Sequence, residues 1–279
     1  NWRIDDVMVS YATDRGGVGA HYDQYDVFLI QGLGRRRWEL GDMCAEDTQL
    51  LPNEDLRLLA EFEARQEWVL EPGDILYVPP GLAHKGTAIG HDCMTYSVGF
   101  RAPSRSELVE GWTEEVLDQL TDDDRYSDPD LKPQANPGLI SDRALSRLRD
   151  TVLDKLNDED AFARWFGKYS TATKGTAMDW RPDELMSEDQ VSEKLASGAA
   201  LVRNPASRFA YIQRPGNNLL LNVDGESYEC SGEASAFAET LCANTLVHIE
   251  PRETAPHPIT QLIRTLVNRG CIAFEGDDD

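Results

Sequence analysis

Two residues able to share a metal ion stand two positions apart in the stretch GAHYDQYDVFLIQG: His21 and Asp23. The segment is otherwise apolar and strand-like. Successive side chains of a strand alternate between its faces, so His21 and Asp23 point one way and Tyr22 the other. An imidazole nitrogen and a carboxylate oxygen on one face are two ligands for a divalent transition metal. Two ligands alone do not define a site, and a third has to come from elsewhere in the chain.

The stretch EPGDILYVPPGLAHKG, residues 71–86, is a strand entered through a Pro-Gly turn and left through a Pro-Pro-Gly turn, with a histidine just beyond. It resembles the second sequence motif of the cupin and double-stranded β-helix proteins, in which that histidine is a metal ligand. By this resemblance His84 joins His21 and Asp23. Two histidines and one carboxylate make the facial triad of non-haem Fe(II) oxygenases. Structural zinc takes four protein ligands, commonly thiolates, and neither motif contains a cysteine. Three protein ligands on an octahedral ion leave three positions, enough for a bidentate 2-oxo acid and dioxygen. Such a co-substrate needs a cation for its far carboxylate, and RRRW at 35–38 offers one. Arg35 and Arg37 share one face of the strand, whereas Arg36 shares the other with Trp38. Arg36 is therefore expected to enter the barrel, its planar fork suited to a carboxylate, while its neighbours stay in water.

Taken in order, WRIDD, GGVGAHYDQYDVFLIQG, GRRRW and PGDILYVPPGLAH resemble the bacterial JmjC-type ribosomal oxygenases. Among these the chain is most similar to the arginine hydroxylases of large-subunit ribosomal protein L sixteen, and the similarity runs on through TYSVGFRAPS to nearly the end. The resemblance implies that His21, Asp23 and His84 bind Fe(II), that Arg36 holds 2-oxoglutarate, and that Ser10 assists with its hydroxyl. It implies a dioxygenase that hydroxylates C3 of an arginine side chain, and a homodimer built through the helical middle of the chain. The family pattern carries a further segment before Trp2, with strands that help close the barrel, so the chain is expected to be N-terminally truncated relative to it. Two alternatives stay open: a histidyl hydroxylase of another ribosomal protein, and a non-catalytic cupin-like scaffold.

The elements around these motifs give an α+β chain in three parts. Residues 1–103 read as a barrel of short strands (VMVSYAT, YDVFLIQ, RRRWEL, DILYVP and MTYSVGF) separated by Gly, Pro and Asp turns. A hairpin is expected at Gly32–Gly34. Residues 104–197 read as helical: Leu108, Trp112, Val116 and Leu120 recur at helical spacing. After a polar loop, a second helix from SDRALS to FGKY carries Leu145, Leu148, Val152 and Leu156 on one face, with Asp142 as its N-cap. Residues 198–279 mix strands (RFAYIQ, and NLLLNVDGESYEC with an Asp-Gly turn) with two helices and a short last strand, a winged-helix-like pattern.

The formal net charge of −23 at pH 7 repels nucleic acid and membrane phosphates and favours a basic partner such as a ribosomal protein. The acids are spread along the chain, as in a surface acidified for solubility. The last module has no basic stripe, so no direct DNA binding is expected of it. No run is long and apolar enough for a membrane span. Five scattered cysteines, none in a C-x-x-C pair, point to a reducing cytoplasm. His91, His248 and His257 lack ligand spacing. Asp14 and Asp26 are candidates to meet a cationic substrate near the barrel mouth, and Asp277–Asp279 reads as a solvated tail.

Overall fold

The computed structural model describes residues 2–52, 56–123, 125–130, 132–173, 178–249 and 257–276; the Asp277–Asp279 tail lies outside them. The chain forms two compact units, one of Arg3–Ser104 and one from Arg105 onward. Apart from Ser104, the helical stretch 104–197 falls within the second unit, as does the module 198–279.

In the first unit one antiparallel sheet runs in the order β1 (Ile4–Ala12), β5 (Leu82–Phe100), β2 (Asp26–Met43), β3 (Gln66–Leu70), with β4 (Ile75–Val78) also paired to β2. The two long strands carry the architecture. Along the first half of β2 the buried residues are Val27, Leu29 and Gln31; along the second half they are Arg36, Trp38 and Leu40. The inward set thus changes from odd to even numbers between Gln31 and Arg36. The hairpin expected at Gly32–Gly34 is replaced there by an irregularity inside one continuous strand, where the register with β5 shifts twice. Gly34 makes this possible: its φ is +61°, and a Cβ would come within 2.7 Å of the Asp92 carbonyl oxygen. A regular strand continued from Val27 would have turned Arg35 and Arg37 inward instead.

In the second unit, the long helix expected from residue 141 is two helices. α2 (Asp142–Leu156) stops at Asn157, and Asp158 caps α3 (Glu159–Thr171) by accepting from the Ala161 N–H at 2.9 Å. The N-cap of α2 is Ser141, whose Oγ accepts from the Ala144 N–H; Asp142 sits in the first turn, where a negative charge suits the helix dipole. Leu120 lies just beyond α1 (Arg105–Gln119), while Trp112 and Val116 pack on Trp165 of α3. α2 itself buries none of its residues.

The remaining elements are α4 (Glu188–Ala196), β6 (Leu201–Arg203), β7 (Phe209–Arg214), β8 (Asn218–Val223), β9 (Glu226–Ser231), α5 (Glu233–Ala243), β10 (Leu246–Val247), α6 (His257–Asn268) and β11 (Ile272–Phe274). The Asp-Gly turn joins β8 to β9, with φ positive at both Asp224 and Gly225, as a two-residue hairpin requires. Leu201, Leu221, Leu241, Ile263 and Leu266 make the core of this part, all fully buried. Among the described residues no helix is long and apolar enough to cross a membrane, and all five cysteines are free thiols.

Candidate metal centre and co-substrate pocket

His21 lies just ahead of β2 and His84 near the start of β5, and the backbone brings them together. The His21 N–H donates to the His84 carbonyl at 3.0 Å, and the His84 N–H returns a bond of 2.8 Å to His21. The loop before His21 keeps the same partner: Arg15 and Gly16 exchange bonds with Ala88. The Pro-Pro-Gly turn reaches across as well, its Gly81 N–H donating to the Asp23 carbonyl at 2.8 Å. Both motifs are thus locked to one another before any side chain is considered.

One ligand atom from each of His21, Asp23 and His84 lies within 4.8 Å of the others. The imidazole rings are 4.3 Å apart between centroids, and His84 Nε2 stands 3.6 Å from Asp23 Oδ2. In each histidine Nδ1 faces a carbonyl two residues back, Gly19 for His21 and Leu82 for His84, both at 3.0 Å. A carbonyl only accepts, so Nδ1 carries the hydrogen and Nε2 presents its lone pair to the shared space. This is how a protein orients a metal-binding imidazole. Burial pushes the His84 imidazole below its ordinary pKa; the His21 ring adds to this, against the opposing pull of the Leu82 carbonyl and Asp23. His84, 2% exposed, is therefore held neutral, the form that binds metal.

Arg36 is 4% exposed and points inward beside Trp38, its guanidinium carbon 5.8 Å from the indole centroid. Among the described residues Nε and Nη2 of Arg36 are buried without a hydrogen-bond partner. A buried donor left unpaired costs about 1–3 kcal/mol, more for a charged group. An orphaned buried guanidinium is thus a receptor for an anion, and a carboxylate matches its fork. Of the two neighbours expected to stay in water, Arg35 is exposed, but Arg37, on the same outer face, is part-buried, and its Nε too is buried without a hydrogen-bond partner among the described residues. The residues present fit a divalent metal together with a carboxylate-bearing co-substrate.

The remaining candidates are placed less favourably. Ser10 sits opposite Thr95 and donates to its carbonyl at 3.4 Å, the long end of the hydrogen-bond range. Asp14 accepts from the Gly90 N–H at 2.7 Å and so braces the turn that β5 makes there. Asp26 is not free for a cationic substrate, because its two oxygens take Arg3 at 2.7 Å and the Tyr77 hydroxyl at 2.7 Å. Tyr25 went unnoticed in the sequence, although its spacing from Asp23 was the available signal. Burial, then the Asp23 charge, push its phenol above its ordinary pKa, so it remains a donor beside the carboxylate.

An antiparallel sheet on which a His-x-Asp pair and a distal histidine converge has the metal-site arrangement of cupin-fold oxygenases, the JmjC class among them. Residues 1–108 match the JmjC domain family and residues 154–273 the ROXA-like winged helix. The chain is 37% identical over 278 residues to the ribosomal protein uL16 3-hydroxylase of Escherichia coli, aligning 99% of this chain with 72% of that protein. It is 36% identical to a probable ribosomal oxygenase of Haemophilus influenzae, over 81% of this chain and 57% of that one. The crystal structure of the E. coli ribosomal oxygenase YcfD in complex with cobalt and 2-oxoglutarate superposes with a TM-score of 0.80 at 35% identity, covering 99% of this chain and 71% of that one. The chain belongs to the JmjC-domain ribosomal oxygenases.

Proposed function

We propose that this chain is an Fe(II)- and 2-oxoglutarate-dependent dioxygenase that hydroxylates C3 of an arginine side chain in ribosomal protein uL16. The observation that carries the proposal is the pairing, within one sheet, of the His21–Asp23–His84 cluster with Arg36, whose buried Nε and Nη2 have no hydrogen-bond partner among the described residues. Fe(II), 2-oxoglutarate and dioxygen together supply an oxidant for an unactivated C–H bond, with succinate and carbon dioxide as co-products. The protein's share is positioning. His21 and His84 present their Nε2 atoms, Asp23 adds a carboxylate ligand, and Arg36 binds the distal carboxylate of the co-substrate. Ser10 is assigned a supporting hydroxyl there and Asp14 a place at the rim for the cationic substrate. The net charge of −23 favours approach of a basic ribosomal protein. The test is to incubate the chain with uL16, Fe(II) and 2-oxoglutarate in air. A one-oxygen mass increment on an arginine peptide, matched by succinate, is the expected result. An increment on histidine would reassign the chain to the histidyl hydroxylases, and no increment on either would leave only a scaffold role.

In this reading residues 1–103 perform catalysis in the cytoplasm, 104–197 dimerise, and 198–279 form a winged-helix-like module with no duplex-DNA role. Support for a homodimer comes from α2: Leu145, Leu148 and Val152 line one face of the helix and are 61%, 42% and 58% exposed. An apolar helical stripe in water marks a contact surface. Leu148→Asp combined with Val152→Asp should convert a dimer to a monomer in sedimentation velocity without loss of helical circular dichroism. A wild-type chain that sediments as a monomer at micromolar concentration would refute the dimer.

A further inference from the structure

Arg36 faces inward only because β2 changes face ahead of it. Pairing with β5 is irregular between Gln31 and Arg35, and β5 changes face in the same place: His84, Gly86 and Ala88 are buried before the break, Cys93 and Thr95 after it. A ladder out of register leaves main-chain carbonyls that something else has to meet where they are buried. Here one side chain meets two of them. The Gln31 carboxamide lies at the break, 1% exposed. Its Nε2 donates to the Leu33 carbonyl at 2.7 Å and reaches the Gly34 carbonyl at 3.4 Å.

The orientation of that amide is fixed from several sides. A carbonyl only accepts, so the Gln31 nitrogen lies toward Leu33 and its oxygen toward Thr95. The Thr95 hydroxyl, on a residue also 1% exposed, donates to Oε1 at 3.0 Å. From β5 the Cys93 Sγ stands 3.5 Å from Nε2. The main chain of Gln31 is tied as well: its N–H donates to the Asp74 carbonyl at 3.0 Å, and its carbonyl accepts from the Gly73 N–H at 2.9 Å. Gly73 and Asp74 belong to the turn joining β3 to β4, where the neighbour of β2 changes from one to the other. Gly34 permits the shift through its positive φ, but a glycine does not hold the chain in it. Holding it takes a side chain that donates and accepts at once. An ionised glutamate only accepts, and asparagine is one methylene shorter.

We infer that Gln31 is a positioning residue for co-substrate binding: its carboxamide pins the register shift that turns Arg36, rather than Arg35 or Arg37, into the protein. The inference rests on the reading of Arg36 as receptor for the distal carboxylate and adds the device that aims it. Without the pin, β2 is drawn toward a regular strand, in which Arg35 and Arg37 compete for the inward direction.

The test measures binding without turnover. The Mn(II)-loaded chain is titrated anaerobically with 2-oxoglutarate in a calorimeter, and Mn(II) occupancy is followed by electron paramagnetic resonance. Gln31→Met keeps an unbranched side chain of similar length and removes the amide. Thr95→Val keeps the branched shape and removes only the hydroxyl that orients the amide, so it decides the matter if Gln31→Met does not fold. An unmet buried polar group biases the backbone by about 5- to 150-fold. 2-Oxoglutarate binding is expected to weaken by a factor in that range in Gln31→Met and at its lower end in Thr95→Val, with Mn(II) bound as in the unaltered chain. Arg36→Ala is then added to each. Because the pin acts through Arg36, the further loss on Arg36→Ala should shrink by the factor each background has already lost. Three results overturn the role of Gln31 and leave the Arg36 reading standing: binding within twofold of the unaltered chain, an undiminished further loss on Arg36→Ala, or a parallel loss of Mn(II). If Arg36→Ala alone binds 2-oxoglutarate normally, the co-substrate reading fails and the inference with it.

Discussion

Alanine at His21 or at His84 is expected to abolish hydroxylation and to strip the metal, while the fold survives. The candidate centre has three protein ligands, so either change removes a third of them. Losing a residue that merely orients a metal ligand costs about 10- to 100-fold in affinity, and losing the ligand itself exceeds that. The fold survives because the bonds joining the two motifs are main-chain ones: His21 N–H to His84 O, His84 N–H to His21 O, and Gly81 N–H to Asp23 O. None needs an imidazole. Mn(II) titration by electron paramagnetic resonance, beside far-ultraviolet circular dichroism, separates the two effects. Unchanged metal affinity in either variant would remove that histidine from the centre.

The second large effect is expected at Arg36, and its neighbour provides the control. Arg36→Ala leaves the distal carboxylate of 2-oxoglutarate inside the protein without its counter-charge. Removing one partner of a buried pair costs about 3–5 kcal/mol, or roughly 10²–10³-fold or more in affinity. Metal binding should be unaffected, since the loss falls on the co-substrate alone. Ligand-free stability should fall only modestly, because among the described residues Nε and Nη2 have no hydrogen-bond partner to lose and what goes is the contact over Trp38. Arg35→Ala deletes the same charge from the same strand, but from its exposed side. Its effect on 2-oxoglutarate binding should be within about threefold, as for an exposed charge acting through water. Isothermal titration of both variants decides the matter. If Arg35→Ala proves the more damaging, the inward set of β2 has been misassigned.

The sequence by itself determined the parts of this protein whose physics is local. His21 and Asp23 share a direction because a strand alternates, and Trp38 marks the face that Arg36 takes. The Pro-Gly and Pro-Pro-Gly turns delimit β4, and the Asp-Gly pair closes the β8–β9 hairpin. The order of motifs was enough to recognise the family. Tertiary structure decided what depends on partners distant in the chain. The hairpin expected at Gly32–Gly34 became a shift inside one strand because β5 runs alongside both halves of β2, with Asp92 closing on Gly34. Asp26 looked available until Arg3 and Tyr77, 23 and 51 residues away, took both its oxygens. The stripe of α2 reads in sequence as one apolar face, but only the structure shows that the face is left exposed. The unpartnered donors of Arg36 were illegible for the same reason. Burial and the absence of an acceptor are properties of everything packed around a side chain, and no local stretch of sequence encodes them.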